Sequence, residues 1–194
     1  MSGKDPKKFD PARAHVLDAP ERERYLPTDV IVALLDLQGD ETVVDYGAGT
    51  GRITIPVAHL LRDRGRVVAL DSSDEMLAHL RMRVGADPNV VAVHVPADAV
   101  PLPAGGADRV LGVNLLHEVR GEGAIDEMRR LVADDGFVLV IDWERGRARD
   151  FGPPDDLLYD AAEAIAALAD AGLRAVPARV ELPFHFALIA TPTE

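Results

Sequence analysis

The chain has 194 residues, with 21 Lys or Arg against 33 Asp or Glu, so its formal net charge is −12. This length fits one domain of ordinary size, which needs no disulfide or metal cross-link in order to fold. The chain has no Cys, which excludes disulfides, Cys-ligated zinc, iron–sulfur clusters and thiol nucleophiles.

The location and partners can also be predicted from composition. No apolar run approaches the length of a transmembrane helix, and the first ten residues lack the apolar core of a signal peptide. We therefore expect a cytoplasmic protein without a membrane partner. The acidic balance makes nucleic acid an unlikely partner, because binding the phosphate backbone requires a basic surface.

Residues 1–27 differ in character from the rest of the chain. They are polar and contain Pro11, Pro20 and Pro27, which favours a mobile segment or a lid with a short helix. Thr28 is a candidate N-cap for a first helix, and it begins the domain that we expect over residues 28–194. Gly39 ends that helix.

Strands and helices then alternate. Strands are predicted over 42–46, 66–70, 90–95, 108–113, 137–142, 176–182 and 184–190. Helices are predicted over 52–61, 73–84, 124–132 and 156–171. Ser72 and Glu75 have the spacing of a capping box, and Gly85 and Gly172 end helices.

This order predicts an α/β fold. Five strand–helix units give a Rossmann-like, doubly wound and mostly parallel sheet. The last two strands are separated only by Pro183, so they form an antiparallel hairpin at the carboxyl-terminal edge and bring the sheet to seven strands.

The most informative motif follows the first strand. Asp45 is followed by Gly47, Gly49 and Gly51 at alternate positions, and then by a helix. Glycines permit close approach of a ligand to the backbone, and the helix that follows offers free N–H groups. Asp71 ends the second strand, where a carboxylate can accept hydrogen bonds from a ribose diol.

The spacing of these glycines argues against a dinucleotide site. The dinucleotide fingerprint G-x-G-x-x-G would require a third glycine at position 52 or 54, which are occupied by Arg52 and Thr54. A nicotinamide-dependent oxidoreductase is thus an alternative function, but the sequence lacks the dinucleotide fingerprint that this function predicts.

The glycine motif resembles motif I of the class I S-adenosylmethionine-dependent methyltransferases. Further segments are similar to that family in order: Asp71, Ala97-Asp98, and the strands that end near Asn114 and Asp142. Within the family, the chain resembles the small bacterial and archaeal group related to ubiquinone/menaquinone C-methyltransferases. The shared elements are His117-Glu118, Ile141-Asp142-Trp143, Gly152-Pro153-Pro154 and Phe184-His185-Phe186.

The resemblance implies S-adenosylmethionine as cofactor, S-adenosylhomocysteine as product, and a set of residues that hold them. Asp45 would order the loop and approach the methionine amino group, Asp71 would hold the ribose, and Asp98 would contact adenine. The full set comprises Asp45, Gly47, Ala48, Gly49, Gly51, Asp71, Ser72, Met76, Ala97, Asp98, Ala99, Asn114 and Leu115.

Methyl transfer from a sulfonium needs few side chains beyond a base. His117 is the candidate base, because imidazole titrates near neutral pH, and Glu118 and Asp142 are candidates to assist it. His117 could equally be a wall residue of the pocket that binds a backbone carbonyl. No metal centre is expected, since the His and Asp residues have no ligand spacing.

Tyr25, Trp143 and His185 are candidate residues for binding the acceptor, although each could instead be packing. The resulting prediction is methyl transfer to oxygen, carbon or nitrogen of a small-molecule acceptor, by a monomer or homodimer. Two alternatives remain, namely a non-catalytic cofactor-binding partner subunit and an NAD(P)-dependent oxidoreductase.

Overall fold

The computed structural model describes residues 8–95, 100–121 and 123–193. Its sheet has seven strands in the order β3-β2-β1-β4-β5-β7-β6. The strands are β1 (Thr42–Tyr46), β2 (Arg66–Asp71), β3 (Val90–His94), β4 (Ala107–Val113), β5 (Val132–Trp143), β6 (Leu173–Pro177) and β7 (His185–Pro192).

The first five strands are parallel, whereas β7 runs antiparallel to both β5 and β6. The predicted fold class is thereby confirmed. The chain builds the sheet outwards from β1 to β3, and then resumes on the other side of β1 with β4. This reversal opens a crevice at the carboxyl ends of β1 and β4, where open α/β sheets bind their ligands.

Helices cover both faces of the sheet. They are α1 (Ala14–Leu17), α2 (Thr28–Ala33), α3 (Thr54–Ala58), α4 (Asp74–Val84), α5 (Ala124–Leu131) and α6 (Ala161–Asp170), with 3₁₀ turns over Pro11–Arg13, Pro20–Arg24 and Asp155–Leu157. None of the helices within the described ranges is long and apolar enough to cross a membrane.

The two faces have separate apolar cores because side chains alternate along each strand. Val43 of β1 packs with Ile31 of α2 and Val57 of α3, whereas the next residue, Val44, belongs to the core that includes Met128 of α5. Strands buried on both sides read as continuous apolar runs in the sequence.

The segment over residues 8–27 lies against the domain. Leu26 is fully buried in the core with α2 and α3. Asp18 accepts hydrogen bonds from Thr50 Oγ1 at 3.0 Å and from Arg83 at 2.6 Å, and Arg52 donates to Glu23 at 2.8 Å. The segment is therefore anchored directly to the glycine loop.

Two predicted helix starts are wrong. The first turn of α2 is capped by the Glu23 carboxylate, which accepts from both the backbone N–H and the hydroxyl of Thr28. The N-cap of α4 is Ser73, whose Oγ accepts from the Met76 N–H, because β2 extends to Asp71 and its carboxylate binds the Ser73 N–H.

Other bounds also differ. Helix α3 is shorter than predicted, and α6 begins at Ala161 because Asp160 and Glu163 form a capping box there. The final hairpin exists, but β6 starts directly after Gly172 and pairs Pro177 with Leu188. Residues 178–184 then connect the two strands, and Pro183 alone does not make the turn.

Candidate active site

The glycine loop turns sharply at the end of β1. The N–H groups of Gly47 and Ala48 both donate to Leu70 O at 2.8 Å, and Gly49 N–H donates to the Asp71 carboxylate at 2.8 Å. All three motif glycines have positive φ, from +55° to +85°. This conformation suits glycine and directs the loop backbone toward the crevice.

The three glycines serve different purposes. A Cβ on Gly47 would lie 2.7 Å from Leu115 Cδ1, and one on Gly51 would lie 3.1 Å from Leu80 Cγ, so both are needed for internal packing. A Cβ on Gly49 would meet a single described residue, Leu17, whose Cδ1 would lie 3.4 Å away. Among the described residues, the N-terminal segment is therefore what covers this side of Gly49.

Asp45 is buried near the carboxyl end of β1 with 3% of its surface exposed. Its carboxylate accepts a hydrogen bond from Thr54 Oγ1 at 2.5 Å. Burial raises the pKa of Asp45 to about 6. The hydrogen bond from Thr54 opposes this rise, and the charge of Asp71 adds a smaller contribution to it. A cation beside this group would offset its desolvation.

Asp71 ends β2 and is half-buried beside the loop. Its two carboxylate oxygens accept from Gly49 N–H and Ser73 N–H, both at 2.8 Å. Burial raises the pKa of Asp71 despite these bonds. Each oxygen retains a lone pair that can accept from a ligand hydroxyl.

Asn114 follows β4 with φ of +55°, a strained conformation for a residue with a side chain. Its backbone N–H donates to Ile141 O at 2.8 Å. Its side-chain Oδ1 is buried and has no partner within the described part of the chain. An unpartnered buried acceptor at a strand end indicates a place for a donor from a ligand.

His117 and Asp142 form a buried pair at the carboxyl ends of β4 and β5. His117 Nδ1 lies 2.7 Å from Asp142 Oδ1, and the backbone N–H of His117 donates to Oδ2 at 2.9 Å. Burial alone would lower the pKa of His117, but the charge and hydrogen bond of Asp142 outweigh it, so the pKa is raised. The carboxylate thus selects the tautomer with hydrogen on Nδ1 and directs Nε2 elsewhere.

Glu118 lies beside this pair, with its Oε1 4.0 Å from His117 Nε2. Its carboxylate accepts a hydrogen bond from the backbone of Phe9 in the N-terminal segment. Burial raises the pKa of Glu118 to about 7, against the lowering effect of His117. A carboxyl group with a pKa of about 7 and an imidazole with a raised pKa therefore meet at this point.

An aromatic cluster adjoins the pair, consisting of Tyr25, Trp143, Phe151, Phe184 and His185. Trp143 and His185 are paired across β5 and β7, and their ring centroids are 4.2 Å apart. Tyr25 stacks parallel to His185 at 6.0 Å. The cluster brings the three predicted acceptor-binding residues into one wall.

His185 is the unusual member of this cluster. Only 3% of its surface is exposed, and neither ring nitrogen has a hydrogen-bond partner in the described structure. Burial lowers the pKa of His185 to about 3. The ring is consequently neutral at physiological pH, with one donor and one acceptor available.

The remaining predicted residues have varied positions. Met76 is buried in the first turn of α4, and Leu115 packs over Gly47, whereas Ser72 is exposed and its carbonyl lies 3.0 Å from His94 Nε2. The predicted adenine contacts Ala97, Asp98 and Ala99 lie outside the described residues. Across the described ranges, no group of three or more His, Asp or Glu side chains gathers in a way that could hold a metal ion.

Several residues of this region were not predicted. Thr54 holds Asp45, yet a Thr in the first turn of a helix gives no distinctive signal. Arg22 belongs to a run of alternating charges, Glu21 to Arg24, which reads as a solvated surface although Arg22 is buried. Arg149 lies with its guanidinium over the Trp143 ring at 5.3 Å, a contact made across the loop that follows β5.

Comparison with known proteins adds the following. A family model described as a methyltransferase domain matches residues 43–136. A crystal structure of a SAM-dependent methyltransferase from Aquifex aeolicus superposes with a TM-score of 0.85 at 27% identity, covering 94% of this chain and 98% of that one. A SAM-dependent methyltransferase from Mesorhizobium loti has a TM-score of 0.66 at 17% identity, covering 84% of this chain and 95% of the other, which shows the fold alone.

Two curated relatives are ubiquinone/menaquinone biosynthesis C-methyltransferases UbiE. The protein from Shewanella frigidimarina is 32% identical over 105 residues, which cover 52% of this chain and 42% of the relative. The protein from Enterobacter sp. strain 638 is 31% identical over 109 residues, which cover 54% and 43%. The chain thus spans less than half the length of these relatives.

The fold and these matches support one class for this protein, the class I S-adenosylmethionine-dependent methyltransferases. The cofactor of that class is S-adenosylmethionine. The glycine loop lacks the third glycine of the dinucleotide fingerprint G-x-G-x-x-G, which agrees with this cofactor in preference to NAD or NADP.

We expect Gly49→Ala to weaken binding of S-adenosylhomocysteine by about tenfold or more, because the new methyl group would lie between the glycine loop and Leu17 of the N-terminal segment, at a φ of +55° that disfavours a side chain. Calorimetric titration measures the change. Gly105→Ala is the matched control, since Gly105 also has positive φ, +64°, and lies away from the crevice. A Cβ on Gly105 would make only an ordinary contact, 3.9 Å from Ala133 Cα among the described residues. Equal affinity of both variants for the nucleoside would contradict the role of Gly49.

The buried His185 predicts a stability change with pH. Its folded pKa of about 3 lies below its ordinary value of 6.5, so the unfolded chain gains a proton between these values and the folded chain does not. Stability is therefore lost as pH falls through this window, by about 2 kcal/mol between pH 7 and pH 5.

The His185→Phe variant keeps an aromatic ring in the cluster and removes this titration. Urea unfolding at pH 7 and pH 5 should show a smaller loss for the variant than for the wild type, by about 2 kcal/mol. The exposed residue His79 provides the control His79→Gln, which should behave as the wild type. Parallel losses in wild type and His185→Phe would show that His185 is protonated in the folded protein.

Proposed function

We propose that the chain transfers the methyl group of S-adenosylmethionine to a small-molecule acceptor, with His117 removing a proton from the acceptor. The observation that carries the proposal is the buried His117–Asp142 pair at the mouth of the crevice, 2.7 Å apart, with Nε2 left for a ligand. The chain covers less than half of its UbiE relatives, so their quinone-related substrate is not transferred to it.

The residues of the crevice fit the cofactor. S-adenosylmethionine carries a sulfonium, an ammonium group and a ribose diol, all of which need electron-rich neighbours. Asp45, Asp71 and the unpartnered Oδ1 of Asn114 supply acceptors at adjacent strand ends. Asp71 is suited to the ribose, whereas Asp45 and Asn114 are suited to the ammonium group.

When bound, the cofactor supplies a methyl group that moves by in-line displacement, while its sulfur keeps the bonding electron pair. The acceptor nucleophile, an oxygen, nitrogen or acidic carbon, forms the new bond to the methyl carbon and loses a proton. His117 Nε2 takes that proton, and Asp142 stabilises the resulting imidazolium. Glu118, 4.0 Å from Nε2, is placed to pass the proton onward.

Tyr25, Trp143 and His185 would form the wall against which the acceptor lies. Their rings favour a planar acceptor, and the neutral His185 can both donate and accept one hydrogen bond. Residues 8–27 would act as a lid, since Leu17 lies over Gly49 and Phe9 bonds Glu118. Closure of such a segment excludes water from the reacting groups.

The test is formation of S-adenosylhomocysteine with a panel of phenols, enols, amines and carboxylic acids. We expect His117→Gln to lower kcat by roughly 10²–10⁴-fold while its affinity for S-adenosylhomocysteine stays near that of the wild type. Wild-type kcat should rise as the pH passes through the raised pKa of His117. This rise of kcat with pH should be absent from the variant.

The control is His79→Gln, on the exposed face of α4, which should retain the full rate. An unchanged rate in His117→Gln would remove the base from the mechanism. A wild type that binds the cofactor and turns over no member of the panel would favour the non-catalytic partner subunit.

A further inference from the structure

Arg22 is a buried cation that has no counter-ion in the described parts of the chain. Only 8% of its surface is exposed, and its Nε is enclosed without a partner. Within the described residues its guanidinium makes no hydrogen bond or ion pair. A buried and unpaired charge is among the least favourable features in a folded protein, so its presence requires an explanation.

The acids close to Arg22 in sequence form no ion pair with it: Glu21 is exposed, and Asp18 and Glu23 bind other groups. Asp18 accepts from Thr50 at 3.0 Å, and Glu23 forms an ion pair with Arg52 at 2.8 Å. Burial and the charge of Arg52 lower the pKa of Arg22, and they outweigh the opposite effects of Tyr25, Asp18 and Glu23. Among the residues that the structure describes, therefore, none supplies a counter-ion to this side chain.

The place of Arg22 in the fold indicates which ligand supplies it. Thr50 and Arg52, which anchor the segment on both sides of Arg22, flank Gly51 in the glycine loop. On the opposite side Arg22 is close enough to His185 to influence its titration. Arg22 thus lies between two anchors on the glycine loop and within electrostatic range of the aromatic wall.

A carboxylate matches this environment, because the guanidinium group presents paired N–H donors in the geometry of a carboxylate. S-adenosylmethionine carries one carboxylate, on the same carbon as the ammonium group assigned above to Asp45 and Asn114. We infer that Arg22 binds the α-carboxylate of S-adenosylmethionine, so that residues 8–27 complete the cofactor site.

This inference rests on the proposed function, since it takes the cofactor from it. Its test is calorimetric titration of wild type and Arg22→Gln with two nucleosides. One is S-adenosylhomocysteine, and the other is S-adenosyl-3-thiopropylamine, which has the same structure without the carboxylate. Arg22→Gln should weaken the first roughly ten- to hundredfold and leave the second within about twofold.

Arg24→Gln is the matched control, because Arg24 lies in the same 3₁₀ turn and is exposed. It should bind both nucleosides as the wild type does. Without ligand, Arg22→Gln should unfold at the same temperature as the wild type or higher, since the variant loses an unpaired buried charge. A lower unfolding temperature, together with equal weakening of both nucleosides, would mean that Arg22 is structural.

The carboxylate could instead belong to the acceptor, and benzoate serves as the probe for that source. Two results together would overturn the assignment to the cofactor. Benzoate would bind the S-adenosylhomocysteine complex of the wild type and not that of Arg22→Gln, and the two proteins would have the same affinity for the nucleoside. A wild type that binds neither nucleoside contradicts the proposed function itself. A wild type and Arg22→Gln with equal affinity for S-adenosylhomocysteine contradict this inference alone.

Discussion

The site depends on the cost of burying carboxylates at one edge of a parallel sheet. Asp45, Asp71 and Asp142 stand at the carboxyl ends of β1, β2 and β5, where the strands leave the core. Burial raises the pKa values of the first two. The third carboxylate, Asp142, is hydrogen-bonded to the ring of His117. A cationic ligand at the ends of β1 and β2 would be a partner for the buried carboxylates there, as His117 is for Asp142 at the end of β5.

This constraint explains why the crevice has two chemically distinct halves. The half over β1 and β2 consists of the glycine loop and the carboxylates of Asp45 and Asp71, which suit a positively charged cofactor. The half over β5 and β7 consists of a neutral His185, aromatic rings and a His117 whose tautomer is fixed. The reversal of strand order between β1 and β4 brings the two halves together at Asn114.

The N-terminal segment connects these halves. It bonds the glycine loop through Asp18 and Glu23, the catalytic candidates through Phe9, and the aromatic wall through Tyr25. Motion of this segment would therefore alter the cofactor and acceptor sides together. Such coupling follows from shared contacts and requires no change elsewhere in the sheet.

The fold could be predicted because its signals are local. The apolar run from Thr42 to Tyr46, the glycines after it and Asp71 lie within one strand–helix–strand unit, whose geometry follows from short-range preferences. The register of the final hairpin could not be predicted, because pairing of Pro177 with Leu188 depends on tertiary contacts.

The site was only partly accessible from the sequence for the same reason. Asp45 and His117 stand at recognisable strand ends. Arg22 stands in a charged run that is typical of a solvated surface, and nothing in that pattern shows that packing against the loop buries it. The partners Thr54 for Asp45 and Tyr25 for His185 likewise appear only when the chain is folded.

The most direct test is a calorimetric titration of the wild-type protein with S-adenosylmethionine, S-adenosylhomocysteine, NAD and NADP. The account predicts micromolar binding of the two sulfur nucleosides and none of the two dinucleotides. Binding of NAD or NADP in place of the sulfur nucleosides would contradict the assignment of the crevice to a methyl donor.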